Sequence, residues 1–336
     1  MRNYLIFTII TTLSIGLITY FIFTKNKITI ISPIVKEREE KPLDKYTFER
    51  LRKKEFKKEG ITLGKIIKST NRYISYIFYV TDGDKKISGL MNIPTKEGIH
   101  SIIALFRGYV DKEGYQSGIG TQNIGEYFAQ NGYITLALDF LGYGESDNPS
   151  KNSIEERFQT YTSALSLMSS ISSINDSLIT ADVIKVMGNI ENIGIWGHSN
   201  GGHIALSTLA ITGKKYPTVL WAPVSKPFPY SILFFTDDYS DNGKSLRKAV
   251  ADFEVDYNIE NYSPTNYYEW INAPIQLHQG TNDNSIPTSW SDTLDRVLKK
   301  QGVEISYFTY TGDDHNFSNN WNVAAQRSLS FFNEKL

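Results

Sequence analysis

The residues best suited to chemistry lie in one short run, Gly197-His198-Ser199-Asn200-Gly201, which matches the pattern G-x-S-x-G. The run directly follows the apolar stretch Ile193–Trp196 and leads into Gly202–Ala210, which has the pattern of a helix. A serine placed between a strand and a helix occupies a sharp, strained turn. Side chains at the flanking glycines would strike the neighbouring strand or helix there. The turn also sits at a helix N-terminus, where free backbone N–H groups favour negative charge. Such a serine is a useful nucleophile only if a base removes its proton.

Five histidines are candidates for that base. His198 adjoins the serine on the turn, with its side chain expected to point elsewhere. His203 lies one helical turn further on and is expected to pack. His100 precedes the strand Ile102–Phe106, at the wrong end of a sheet. His278 ends a strand but comes before the acid. His315 remains, just after the strand Ile305–Tyr310, at the C-terminal edge where sites of open α/β sheets gather. The acid that would orient it is Asp283, which stands in the turn Gly280–Pro287 directly after the strand Ile275–His278. Asp313 and Asp314 are too close in sequence to be the first choice, although either could hydrogen-bond the ring.

The elements that must position these groups follow from short apolar runs. Ile102–Phe106, Tyr133–Asp139, Ile193–Trp196, Thr218–Trp221, Ile275–His278 and Ile305–Tyr310 read as parallel strands apolar on both faces. Helical stretches alternate with them at Gly125–Gln130, Phe158–Ser172, Gly202–Ala210 and Leu294–Lys300. An antiparallel hairpin, Tyr73–Val80 with Lys86–Ile93, comes first. The expected fold is therefore α/β, a mostly parallel doubly wound sheet. Residues 223–272 hold no buried strand and read as a lid insertion. Its aromatics Phe228, Tyr230, Phe234, Phe235, Tyr239 and Trp270 either line an apolar acyl or aromatic site or form a small core of the lid itself.

Four motifs together carry a resemblance. They are GHSNGG (Gly197–Gly202), GTNDNSIP (Gly280–Pro287), DDHNF (Asp313–Phe317) and DFLGYGESD (Asp139–Asp147). From about Tyr73 to its end the chain resembles α/β-hydrolases. Within them it is most similar to the catalytic domain of prolyl-oligopeptidase-type, dienelactone-hydrolase-like serine hydrolases. The resemblance implies Ser199 as nucleophile, Asp283 as acid and His315 as base, in the chain order of that fold. It also implies the backbone N–H groups of Asn200 and Tyr109 as the oxyanion hole. One segment departs from the family. Where His-Gly is usual after the first parallel strand, this chain has Phe106-Arg107-Gly108-Tyr109. Arg107 then contacts either the substrate or the 139–147 loop.

The activity implied is cleavage of an ester or amide bond through an acyl-enzyme, on a small-molecule ester or a peptide. Peptidases of the family draw selectivity from a β-propeller of several hundred residues. Only about 100 residues precede the first parallel strand here. An esterase-like acyl hydrolase is thus the first expectation and a serine peptidase the second. A non-catalytic binding protein on the same scaffold is disfavoured, because serine, histidine and aspartate are all kept. The chain has no cysteine and no H-E-x-x-H motif, so neither a metal nor another cofactor is expected. Its formal charge of -1 offers no basic footprint for nucleic acid.

The start of the chain adds a membrane. Tyr4–Phe23 carries no charge and, at about 20 residues, is long enough to span a bilayer as a helix. Residues 1–27 are read as a single-pass anchor, 28–58 as a tether with a charged surface helix, and 59–336 as the catalytic domain. Lys25, Lys27, Lys36, Arg38 and Lys41 outnumber Arg2 and favour a cytoplasmic C-terminal side. A short tail before one long span instead behaves as a signal anchor. The expectation adopted is an extracytoplasmic catalytic domain.

Overall fold

A short helix, α1 (Phe48–Lys53), precedes three strands, β1 (Thr62–Ser69), β2 (Tyr73–Asp82) and β3 (Lys85–Pro94). Strands and helices then alternate: β4 (Gly98–Phe106), α2 (Gln122–Gln130), β5 (Ile134–Leu138), α3 (Ser153–Ser170), α4 (Ile174–Thr180), β6 (Val186–His198), α5 (Asn200–Thr212) and β7 (Thr218–Trp221). After α6 (Tyr230–Leu233) and α7 (Lys244–Asp256) come β8 (Ile275–Gly280), α8 (Thr288–Lys300), β9 (Ile305–Tyr310) and α9 (Trp321–Lys335). This computed structural model describes residues 40–336, so the anchor expected over residues 1–27 lies outside the described residues. Among the described residues no helix is long and apolar enough to cross a membrane.

The strands form one nine-stranded sheet in the order β1-β2-β3-β5-β4-β6-β7-β8-β9. β1, β2 and β3 are antiparallel, and β3 meets β5 antiparallel. From β5 to β9 every pairing is parallel. Burial on both faces explains the continuous apolar runs. In β4, Ile102, Ala104 and Phe106 join the core that includes Phe158 of α3 and Leu206 of α5, whereas Ile103 and Leu105 join the core containing Phe128 of α2 and Phe332 of α9.

Strand order reverses at β4: the chain moves to one side for β5 and to the other for β6. β4 and β6 therefore lie side by side, with Phe106 opposite Gly197. The loop after β4 and the turn after β6 must then share one crevice at the carboxyl edge. The loops after β8 and β9 open on the same edge, since Trp221 of β7 pairs His278 and Gly280 pairs Tyr310.

The charged surface helix expected within residues 28–58 is short and more deeply seated. Only Phe48–Lys53 is helical. Tyr46, Phe48 and Leu51 are buried, and Phe48 stacks on Tyr267 at 5.0 Å. The charges hid an apolar face that closes the core beside α5.

Residues 223–272 contain no strand among the described residues and divide in two. Phe228 is buried against Phe158 and Phe253, and Trp270 packs on Tyr267 at 4.4 Å beneath the Arg52 guanidinium. These two rings belong to the main core. Tyr230, Phe234 and Phe235 instead surround Trp290 of α8, at 6.0, 4.8 and 6.3 Å between ring centroids. Tyr239 is exposed.

Candidate active site

Ser199 joins β6 to α5 with φ 55° and ψ -120°, a conformation that side-chain-bearing residues rarely adopt. The turn is pinned from both sides. Ser199 N–H donates to the carbonyl of Trp221 at 2.9 Å, and Ser199 O accepts from Gly202 N–H at 3.0 Å and Val224 N–H at 2.9 Å. The glycines are required by contact. A Cβ on Gly201 would lie 1.8 Å from the Phe106 carbonyl oxygen, and one on Gly197 would lie 2.6 Å from the Gly201 carbonyl oxygen. Because Asn200 is the first residue of α5, its N–H has no acceptor within the helix.

Asp283 and His315 meet between the β8 and β9 loops. His315 Nδ1 lies 2.7 Å from Asp283 Oδ2. The same oxygen accepts from Gln279 Nε2 at 3.0 Å, while Oδ1 accepts from the N–H groups of Ser285 and Ile286, both at 2.8 Å. The Asp283 side chain is wholly screened from solvent. Burial alone would raise its pKa. The hydrogen bond from His315, the backbone donors and the His315 charge outweigh burial and hold the carboxyl below its ordinary value. An ionised Asp283 needs a donor at Nδ1, which leaves His315 Nε2 as the acceptor nitrogen.

The neighbouring carboxylates are committed elsewhere. Asp313, fully buried, accepts from the N–H groups of Asp314, Asn319 and Asn320 and from the Asn320 amide. Asp314 accepts from Asn316 N–H, Ser318 N–H and Ser318 Oγ. Both shape the loop that carries His315, and neither takes the imidazole proton.

One group of this site, Gln279, was not singled out from sequence, and a second, His198, was expected to point its side chain elsewhere. Gln279 braces Asp283 and is itself held by Ser291 Oγ at 2.7 Å. His198 turns towards the base: its Nε2 lies 3.0 Å from the His315 carbonyl oxygen, and the two rings are 4.6 Å apart. Burial, then the adjacent His315 charge, pushes the His198 pKa down to about 4. A neutral His198 donates Nε2–H to that carbonyl and ties the serine turn to the histidine loop. The contact depends on tertiary packing across 117 residues of sequence, which no local pattern signals.

The other histidines are structural. His203 bridges the Val224 carbonyl and Tyr161 Oη, His278 bridges Tyr310 Oη and Gln276 Oε1, and His100 bridges the Gly132 and Lys96 carbonyls. Beside the serine turn, Val224, Ile286 and Trp290 form a small apolar cluster with Phe235 packed on it. Gly108, after β4, lies against the serine, since a Cβ there would sit 2.9 Å from Ser199 Cβ. Of the two readings of Arg107, the side chain takes the second: it donates to the Asp139 carbonyl and stacks on Tyr143. Among the described residues no group of three or more His, Cys, Asp or Glu side chains could hold a metal ion.

The model of the prolyl oligopeptidase family matches residues 121–336, a span that includes Ser199, Asp283 and His315. The chain belongs to the prolyl oligopeptidase family. The Arg107–Tyr109 loop precedes the matched span. A curated relative in Caenorhabditis elegans, dipeptidyl peptidase family member 6, is 23% identical over 247 residues, covering 70% of this chain and 30% of the relative. This prolyl oligopeptidase family member thus spans under a third of that relative's length. A puromycin-hydrolyzing peptidase of Mycobacterium tuberculosis superposes with a TM-score of 0.56 at 16% identity, over 80% of this chain and 40% of the other. An acetyl xylan esterase from Paenibacillus sp. R4 superposes with a TM-score of 0.58 at 14% identity, over 86% of this chain and 92% of the other. At such identities these structures establish the α/β-hydrolase fold. The family and its neighbours are hydrolases, with peptidases and esterases both represented.

Proposed function

We propose that this chain is a serine hydrolase that cleaves a carboxylic ester or an amide through an acyl-enzyme. The observation that carries the reading is the 2.7 Å hydrogen bond from His315 Nδ1 to buried Asp283, on the same sheet edge as the strained Ser199. In this reading Ser199 Oγ attacks the carbonyl carbon while its proton passes to His315 Nε2. The backbone N–H groups of Asn200 and Tyr109 receive the oxyanion. When the tetrahedral adduct collapses, the leaving alcohol or amine takes the proton from Nε2. A water then attacks the acyl-enzyme, gives its proton to Nε2, and the acid departs as Ser199 regains its hydrogen.

An esterase-like acyl hydrolase is the favoured form. Two things support it: the part-exposed rings of Tyr230 and Phe234, which pack on Trp290 in the cluster bordering the serine turn and could face an acyl or aromatic group, and a fold shared almost end to end with an esterase. A peptidase is the second reading, favoured by the family and by the dipeptidyl peptidase relative. Labelling with a fluorophosphonate probe tests the chemistry. Ser199→Ala should lose all covalent labelling while keeping the wild-type unfolding midpoint, and labelling that persists would remove Ser199 from its role. Turnover of p-nitrophenyl esters against aminoacyl and peptidyl amides then decides between the two substrates.

A further inference from the structure

We infer that Arg107 is a positioning residue for the oxyanion hole, acting on the peptide that carries the Tyr109 N–H; this rests on Ser199 being the nucleophile. Arg107 is almost fully buried, with 5% of its surface exposed. Its guanidinium spans two main-chain carbonyls: Nη1 donates to Gly108 at 2.9 Å and Nη2 to Asp139 at 2.7 Å. Three aromatic rings enclose it, Tyr143 at 4.0 Å, Tyr115 at 5.1 Å and Phe140 at 5.6 Å. The planar fork cannot turn inside that box.

The Gly108 carbonyl belongs to the same peptide unit as the Tyr109 N–H. That unit is trans and planar, so its C=O and N–H point in opposite directions. Fixing the carbonyl onto Nη1 therefore fixes the N–H facing away from the guanidinium. The same unit lies beside the nucleophile, since a Cβ on Gly108 would be 3.4 Å from Ser199 Oγ. Without the clamp, a peptide following a glycine is among the freest in the chain to rotate. Preorganisation of the donor is what gives such a hole its effect on rate.

The second anchor is equally well held. The Asp139 carboxylate is fully buried and accepts from Ser88 Oγ at 2.6 Å, Ser117 Oγ at 2.6 Å, Tyr115 Oη at 2.8 Å and Gly118 N–H at 3.1 Å. Arg107 thus ties the loop after β4 to the loop after β5, which is itself tied into β3 through Ser88.

The test uses the full-length chain with Arg107→Met, which keeps the stem and removes the fork, and Arg107→Lys, which keeps the charge but reaches one carbonyl at a time. Active sites are counted by fluorophosphonate stoichiometry, so unfolded protein drops out of the rate. The expected result is a fall in kcat per titrated site of roughly 10- to 100-fold, short of the roughly 10²- to 10³-fold for deleting a donor outright. KM should stay within about twofold, and inhibition by phenylboronic acid, whose tetrahedral adduct occupies the hole, should weaken by the same factor as kcat/KM. If Arg107→Met does not fold, Arg107→Lys decides by the same ratios. Wild-type kcat per site, or a loss confined to KM, overturns the inference. A wild-type chain that takes no probe overturns the hydrolase reading instead, so the two failures are distinct.

Discussion

Three carboxylates crowd the histidine loop, and their hydrogen bonds separate their tasks. Asp283 faces the imidazole, Asp313 holds the entry to α9, and Asp314 closes a turn through Ser318. Asp283→Asn should cut kcat per titrated site by about 10³- to 10⁴-fold, because an amide favours the wrong imidazole tautomer, and should also lower stability, because the buried carboxylate it replaces accepts from Gln279, Ser285 and Ile286. Asp314→Asn should cost about tenfold or less. Asp313→Asn belongs to another class. It replaces one acceptor of a fully buried carboxylate by a donor facing N–H groups, which costs stability on the order of 1–3 kcal/mol and leaves kcat per titrated site near wild type. Kinetics on one activated ester, normalised by probe stoichiometry, together with urea midpoints, separate the three. A larger kcat loss at 313 or 314 than at 283 would move the acid.

At the scale of elements, the site exists because α5 lies unusually close to β4. Gly201 touches the backbone of Phe106, and Gly202 touches Pro223, where a Cβ would be 2.5 Å from the proline Cβ. Gly201→Ala should cost at least ~3 kcal/mol, the upper end for overpacking, because the obstacle is strand backbone. Gly202→Ala should cost less, since Pro223 begins a loop that can yield. Urea midpoints for the two variants give the order, and equal midpoints would show that α5 can shift off β4 freely. This closeness was legible in sequence because glycine spacing encodes it directly. The parallel strands were legible too, since burial on both faces writes a continuous apolar run. β1 was not. Thr62–Ser69 is an edge strand, mostly exposed, paired on one side with an irregular register, and it carries Lys65 and Lys68 among its isoleucines. An edge has no second face to impose a pattern. α1 was misread for a related reason, because its lysines and arginines mask the buried pair Phe48 and Leu51. The Asp283–His315 pair could be read from the loops after two apolar strands, and the Arg107 contact with the 139–147 loop was one of two readings, whereas the His198–His315 contact is purely tertiary.

Across the whole molecule, three histidines are held neutral in separate places: His198 at the site, His203 inside α5, and His278 inside β8. Burial is the chief cause in each, followed by a nearby charge: His315 for the first, Arg157 for the second and Arg327 for the third. Their pKa values fall from 6.5 to about 4, about 3 and about 3. The consequence for stability has a definite sign. As pH drops below 6.5 the unfolded chain takes up a proton at each of these side chains, while the folded chain does not until about pH 4 or about pH 3. The unfolded state then binds more protons, so the stability these groups contribute is complete above pH 6.5 and is lost on the way down. Each proton is worth about 1.4 kcal/mol per pH unit, so the three together give a slope of ~4 kcal/mol per unit between roughly pH 6 and pH 4. Asp283 acts lower still. Its depressed pKa makes a contribution that is present above the ordinary carboxylate range and lost only as pH falls through its folded value. Acid loss of stability should therefore begin near pH 6, well before carboxylates titrate. Urea midpoints at pH 7.5, 6, 5 and 4.5 measure the slope. His278→Gln should be less stable at pH 7.5 because it gives up the hydrogen bonds to Tyr310 and Gln276, yet lose about a third of the pH dependence. Midpoints that stay flat from pH 7 to pH 5 would mean that these histidines take up protons in the folded chain.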